Sequence, residues 1–201
     1  MFNHVNGVMV YILGLLAGYL IGSFPTAFLV VKRLTGQDIR KIGSGNVGAT
    51  NVKRACGTKP FIFVMVIDML KGALPVLLSK LLFPHLYLLH VLVAVTTVIG
   101  HSKSIFLGFA GGKSAATGLG SMIGLAPVPA LVLGLIAFLL TRLSRIVSVG
   151  SITASILAGP IIYFCNEPLE YIIYGSIAGG YIIFLHKANI QRLLKGTENR
   201  I

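Results

Sequence analysis

The chain has 201 residues, of which 55% are hydrophobic and only 11% charged, with a formal net charge of +12. With a mean hydropathy of +0.89, it lies outside the range of soluble globular domains and within that of membrane proteins. The basic excess does not make a nucleic-acid platform: the cations sit between apolar runs without interleaved aromatic residues, as in cytoplasmic loops that face anionic headgroups and substrates.

The first apolar run, Val8 to Val31, is long enough to cross a hydrocarbon core of ~30 Å. Gly14 and Gly18, four residues apart, allow close helix packing. Gly22, Ser23 and Pro25 interrupt the second half, and Lys32 and Arg33 end it. The run is too long for a cleavable signal peptide, and no A-x-A-like site follows.

A polar island then runs from Ile42 to Cys56 (IGSGNVGATNVKRAC). Gly43, Gly45 and Gly48 open positive-φ conformations and let backbone amides approach a ligand. Ser44, Asn46, Thr50 and Asn51 supply neutral donors, and Lys53 and Arg54 supply fixed charge. Successive N–H groups in such a turn form an anion nest, and a helix starting near Ala49 adds the pull of its N-terminus. The alternative is a flexible connector between two apolar segments.

The second run, Pro60 to Phe83, carries Asp68 and Lys71, which meet on one helix face at i, i+3. Charges inside a span face the bundle interior and pair, so the two read either as a buried packing pair or as catalytic groups. Leu86 to Ile99 is short and leads into a second island, His101 to Lys113. From Ser114 to Leu140 the chain is again apolar, and Pro127 and Pro129 favour two helices over one. Ile146 to Cys165 and Leu169 to Leu185 flank the turn Asn166-Glu167-Pro168, and a basic tail runs from His186 to Ile201.

These runs predict an all-α integral membrane protein, a single multi-pass domain over residues 1–201, with spans near 8–31, 60–83, 86–99, 114–126, 127–140, 146–165 and 169–185. With seven transmembrane helices, the N-terminus outside and the C-terminus cytoplasmic, fifteen of the seventeen Lys and Arg residues fall inside, all but Lys71 and Lys80. Merging the fourth and fifth segments puts Arg142 and everything after it on the wrong side. Cys56 and Cys165 then lie near opposite faces, which argues against an intrachain disulfide. The islands Ile42–Cys56, His101–Lys113, Ser144–Ser151 and His186–Lys195 all reach the cytoplasmic face.

Gly111-Gly112-Lys113-Ser114 looks like the end of a P-loop, but Leu107 stands where a Walker A motif needs its first glycine. What remains is a glycine pair ahead of a lysine where a span begins, which suits a phosphate at a helix N-terminus or an ordinary basic flank. No histidine pairs with an acidic partner at metal-ligand spacing, and no G-x-S-x-G elbow occurs. Anion binders are many and candidate bases few. A reaction between anionic substrates that are already activated suits this inventory, with no cofactor.

The block Gly43-Ser-Gly-Asn-Val-Gly-Ala-Thr-Asn-Val-Lys-Arg54 resembles the first signature of the bacterial acyl-phosphate:glycerol-3-phosphate acyltransferases of the PlsY type. Gly100-His101 with Phe106-Leu-Gly-Phe-Ala-Gly-Gly-Lys113 and Ala116-Thr117 is similar to the second. Arg145-Ile-Val-Ser-Val-Gly-Ser-Ile152 is similar to a third block, and His186 to Glu198 to a fourth. The blocks cover nearly the whole chain in order. Asp68-Met-Leu-Lys-Gly72 matches between the first two.

The resemblance implies a seven-helix bacterial inner-membrane enzyme, with its active site at the cytoplasmic face. It would transfer an acyl group from acyl phosphate to the sn-1 hydroxyl of glycerol 3-phosphate, giving lysophosphatidic acid and phosphate, the first step of phospholipid biosynthesis. Its partners would be those two substrates, membrane lipid and the upstream enzyme that forms acyl phosphate. By the same resemblance Ser44, Arg54, Lys113, Ser151, His186 and Asn189 line the phosphate-binding site. The backbone from Gly45 to Asn51, with Gly43, Gly111 and Gly112, cradles phosphate. The implied catalytic residues are Ser44, Arg54, Lys113, His186 and Asn189. Ser104 departs from the usual proline, Ala110 from a lysine, Ser114 from a glycine and Leu185 from an arginine. An anion transporter could use similar loops, although no internal repeat is evident.

Overall fold

Pro25 divides the first apolar run. A ring at that position removes a backbone donor and clashes with the preceding turn, so one helix, α1 (His4–Ser23), stops and a second, α2 (Thr26–Thr35), begins. The computed structural model describes residues 4–200, with side chains from Gly7 onward. The remaining helices are α3 (Ala49–Cys56), α4 (Thr58–Leu82), α5 (Tyr87–Ser102), α6 (Ala115–Leu125), α7 (Pro127–Ser144), α8 (Val147–Phe164), α9 (Leu169–Leu185) and α10 (Lys187–Leu194). The region expected as one span over 8–31 is thus a broken pair that extends to Thr35. The single domain suggested for residues 1–201 contains two compact units, Met1–Leu125 and Ala126–Ile201.

In the first unit, small residues let helices approach backbone to backbone. A Cβ at Gly18 would lie 3.0 Å from Val93 O, and one at Gly22 would strike Thr97 O. One at Gly100 would strike Tyr19 O in return, so α1 and α5 touch along their length. Glycines 72 and 120 do the same for α4 and α6, against Thr117 O and Met69 O. Lys80 Nζ donates to Leu125 O at 2.6 Å and closes the end of α6.

In the second unit, a Cβ at Gly150 would strike Ala137 O across the α7–α8 contact, and one at Gly179 would strike Ser155 O across α8–α9. Pro127 and Pro129 sit in the first turn of α7, where a missing N–H leaves no intrahelical bond unmade. Helix α10 bends away from α9 by 62° at His186.

Large apolar side chains face outward, Leu131 at 72% and Phe164 at 78% exposure, while Ser23, Thr97, Thr117 and Ser121 are buried. That inverted distribution suits a hydrocarbon surround, where small polar residues make the helix contacts. Among the described residues, four segments are long and apolar enough to cross a membrane, and a fifth if α9 and α10 are taken together. Helices α5 and α6 are apolar but shorter.

Candidate active site

The first island is shaped by one buried amide. Asn51 is 1% exposed. Its Oδ1 accepts the Ser44 backbone N–H at 3.1 Å, and its Nδ2 donates to Ile42 O at 2.9 Å and Ile39 O at 3.3 Å. Gly43 and Gly45 take φ of 57° and 69°, and a Cβ at Gly43 would strike Asn51 Oδ1. Glycine is required there both for conformation and for room. Asn51, expected to line the phosphate site, is instead committed to shaping the loop, since its own N–H also donates to Gly48 O at 3.0 Å.

Helix α3 begins at Ala49, with Gly48 extended ahead of it. Ser44 is exposed, Asn46 and Thr50 are half-buried, and Arg54 is exposed. The aliphatic stem of Arg54 passes 3.8 Å from the Cβ position of Gly43, which sets the guanidinium beside the loop. Ahead of the island, Asp38 caps the turn Ile39–Lys41 by accepting from Arg40 N at 2.9 Å and Arg40 Nη2 at 2.6 Å. Those hydrogen bonds hold the Asp38 carboxyl down to about 2 and raise the Arg40 guanidinium in turn.

The second island folds on the end of α5. Gly112 N donates to His101 O at 3.1 Å, Phe109 N donates to Ser104 O at 2.8 Å, and Ser104 and Ala110 form an antiparallel bridge. A Cβ at Gly112 would strike the His101 ring and lie 2.7 Å from Val47 O of the first island. Val47 and Leu107, one from each island, share a buried cluster with Ile39, Val52 and Val64. The apolar undersides of the loops thereby bring Gly43–Gly48 and Gly111–Gly112 side by side, with Lys113 half-buried at the start of α6.

Two departures have physical readings. Ser104 has φ −66°, the value a proline ring would impose, and its hydroxyl donates to Ser23 O at 2.6 Å. Ser114 has φ 58°, where glycine carries no strain, and its hydroxyl donates to Val98 O at 2.8 Å.

In the second unit, Ser151 is half-buried on α8, and its carbonyl accepts from Ser155 Oγ at 2.8 Å. His186 and Asn189 are buried where α9 turns into α10. His186 Nδ1 lies 2.8 Å from Ile182 O, so the neutral ring carries its proton on Nδ1 and Nε2 is its basic nitrogen. Asn189 Nδ2 donates to Glu198 Oε1 at 2.6 Å, which also accepts from Ser148 Oγ at 3.1 Å. Arg192 Nε donates to Glu198 Oε2 at 2.6 Å. Burial pushes the Glu198 carboxyl up, but the hydrogen bonds from Arg192, Asn189 and Ser148 outweigh it and hold the group below its ordinary value. Sequence reasoning passed over Glu198. The available signal was that it is the single acid in a tail of cations.

His101, read from the sequence as part of the second island, is not among the expected site residues either. It lies 3.8 Å (Nδ1 to Oδ1) from Asp68, whose Oδ1 lies 2.8 Å from Lys71 Nζ. The Asp68–Lys71 pair is readable at i, i+3; nothing local ties His101 to it. Among the described residues, no three His, Cys, Asp or Glu side chains gather as a metal ion would need.

Fold and site together define a helical membrane protein in which two glycine-rich loops lie side by side, flanked by cations. The family model for glycerol-3-phosphate acyltransferase matches residues 12–196. The glycerol-3-phosphate acyltransferase of Crocosphaera subtropica is 44% identical over 93% of this chain and 92% of its own. A crystal structure of PlsY (YgiH), an integral membrane glycerol 3-phosphate acyltransferase, in its glycerol 3-phosphate form aligns with TM-score 0.90 and 36% identity over 95% of each chain. The lysophosphatidic acid form of that protein aligns with TM-score 0.87 over the same shares. The chain belongs to the glycerol-3-phosphate acyltransferase family. That membership favours acyl transfer over the phosphate-transport alternative.

Proposed function

We propose that this membrane enzyme transfers an acyl group from acyl phosphate to the sn-1 hydroxyl of glycerol 3-phosphate. The hydroxyl oxygen bonds to the acyl carbon, the bond from that carbon to the phosphate oxygen breaks, and lysophosphatidic acid and phosphate leave. The observation that carries this reading is the contact of Gly112 with Val47, which sets two glycine-rich loops together with Arg54 and Lys113 on their flanks. One family member has been crystallised in glycerol 3-phosphate and lysophosphatidic acid forms, which matches the substrate and product named here.

An acyl phosphate has a good leaving group, so positioning and charge stabilisation can supply most of the acceleration. In the first unit, the backbone of Gly43–Gly48 and Gly111–Gly112 cradles phosphate, while Arg54 and Lys113 offset the repulsion between two phosphates and stabilise the departing one. Ser44 and Thr50 donate to phosphate oxygens, and Asn51 holds the loop in shape. In the second unit, His186, Asn189 and Ser151 serve the reaction, and Glu198 keeps Asn189 in place. A substrate phosphate oxygen accepts the hydroxyl proton while His186 orients the hydroxyl. In the rival, Nε2 of His186, left basic by the contact of Nδ1 with Ile182 O, is itself the base. A His186→Ala enzyme that binds both substrates without turning over would support the rival; near-normal turnover would sink it.

The charge asymmetry supports seven spans, an outer N-terminus, an inner C-terminus and a site on the cytoplasmic side of a bacterial inner membrane. The broken pair α1–α2 serves as one span, and α5 and α6 as short ones. Residues 1–201 act as one multi-pass domain, supplied with acyl phosphate by an upstream acyl-phosphate-forming enzyme. Purified protein given palmitoyl phosphate and radiolabelled glycerol 3-phosphate tests the reading by formation of labelled lysophosphatidic acid. Phosphate flux into proteoliposomes with no lipid product would point to the transporter instead.

A further inference from the structure

Beneath the two loops of the first unit lies a small cavity of about 10 Å³. That is roughly the space one water centre needs. Its walls include Ser23, Thr26, Val47, Asp68, His101 and Gly111, so it touches both islands and the α1–α2 break. Among the described residues, the buried atoms Ser23 Oγ, Thr26 Oγ1, Asp68 Oδ1 and His101 Nδ1 have no hydrogen-bond partner. His101 Nδ1 and Asp68 Oδ1 are 3.8 Å apart, too far for a direct hydrogen bond and suited to a bridge.

The charged members of this cluster lie against each other and against the α1–α2 break. Lys71 Nζ lies 2.8 Å from Asp68 Oδ1 and donates to Phe24 O at 2.8 Å, the carbonyl just before Pro25. Ser104 Oγ donates to Ser23 O at 2.6 Å, and Tyr19 Oη donates to Lys103 O at 2.8 Å, tying the second island to the same break. The His101 ring is the floor on which Gly112 rests, and Val47 O borders the same spot. Tilting that ring moves the backbone next to Lys113.

We propose that Asp68, Lys71 and His101, joined by one water bound in this cavity, form a positioning unit that sets the Val47 and Gly111–Gly112 backbones for glycerol 3-phosphate. The proposal deepens the acyl-transfer reading and rests on it. None of the three side chains needs to touch substrate. They act by holding His101 at one tilt: Asp68 through the water, Lys71 by fixing Asp68 to the Phe24 carbonyl, and Ser23 and Thr26 as the water's further partners. A packing-only role would need His101's shape and not its nitrogen.

The test compares His101→Leu, which keeps bulk without the nitrogen, with His101→Asn, whose amide nitrogen overlays Nδ1. Calorimetry with glycerol 3-phosphate on the purified full chain should show affinity falling about 10- to 100-fold in H101L. KM should rise more than kcat falls, and H101N should recover most of the loss. Wild-type affinity in H101L, or equal impairment in both variants, would overturn the proposal. If H101L does not fold, Thr26→Val removes one partner of the water without changing side-chain shape, and an unchanged affinity there would equally overturn it. A high-resolution crystal structure should show one water about 3 Å from His101 Nδ1, Ser23 Oγ and Thr26 Oγ1; a dry cavity contradicts the proposal. A wild type that binds glycerol 3-phosphate but forms no lysophosphatidic acid removes acyl transfer and leaves the positioning unit standing, whereas one that binds none removes both.

Discussion

Asn51 Oδ1 accepts the backbone N–H of Ser44 at 3.1 Å, from a side chain only 1% exposed on the first turns of α3. The loop that presents Ser44 is therefore shaped from beneath by a residue with no spare polar atom on its amide nitrogen side, since Nδ2 serves Ile39 O and Ile42 O. Substituting Asn51→Ala leaves these buried partners unmatched, which costs about 1–3 kcal/mol. Denaturation of the purified variant in detergent should show that loss, and activity should fall with it. Full activity and stability would mean that the loop holds its shape without Asn51.

Alongside Gly111, whose added Cβ would strike His101 O, Gly112 should be among the least replaceable glycines of the second island. A Cβ there would strike the His101 ring and lie 2.7 Å from Val47 O, whereas one at Gly180 meets nothing within 4 Å. Gly112→Ala should reduce kcat/KM about 100-fold by displacing the loop. Gly180→Ala serves as the matched control and should stay near wild type. Steady-state assays with varied glycerol 3-phosphate check the contrast.

Arg54 carries fixed charge on the exposed flank of the first loop. Removing a donor that stabilises transition-state charge lowers kcat by about 10²–10³-fold, and Arg54→Ala should show a loss of that size. Arg54→Lys should recover part of it, because a point charge remains while the planar fork is lost. Equal loss in both variants would assign Arg54 to a geometric role.

Glu198 makes the tail sensitive to acid. Burial raises its pKa and its three hydrogen-bond donors more than compensate, so the folded value lies below the ordinary one. The stabilisation is present above the unfolded pKa and is lost as pH falls through the folded one. Thermal melts should therefore show the wild type losing stability below its ordinary carboxylate range, with Glu198→Gln less stable at neutral pH and flatter on acidification. Parallel curves for the two proteins would remove Glu198 from the account.

Much of the helix order was legible because its causes are local. Pro25 and Pro127 break helices through their own rings, and Gly48 ahead of Ala49 marks the start of α3. Apolar run length outlines the membrane segments. The buried clusters were not legible in the same way. Asp68 and Lys71 share one helix face, but His101 joins them from α5 only after α4 and α5 pack. Glu198 reaches Ser148 from fifty residues away, and no periodicity encodes that distance. Asn51 reads in sequence as one more donor of the island; only its burial shows that its amide faces the loop's own backbone. The 62° turn between α9 and α10 likewise follows no proline or glycine.

The central claim is tested most directly by incubating the purified protein with palmitoyl phosphate and radiolabelled glycerol 3-phosphate and resolving the lipid products. Labelled 1-acyl lysophosphatidic acid should form with release of one phosphate per acyl group, and the Arg54→Ala enzyme should form little. A folded wild-type protein that binds glycerol 3-phosphate yet yields no labelled lipid would contradict the account.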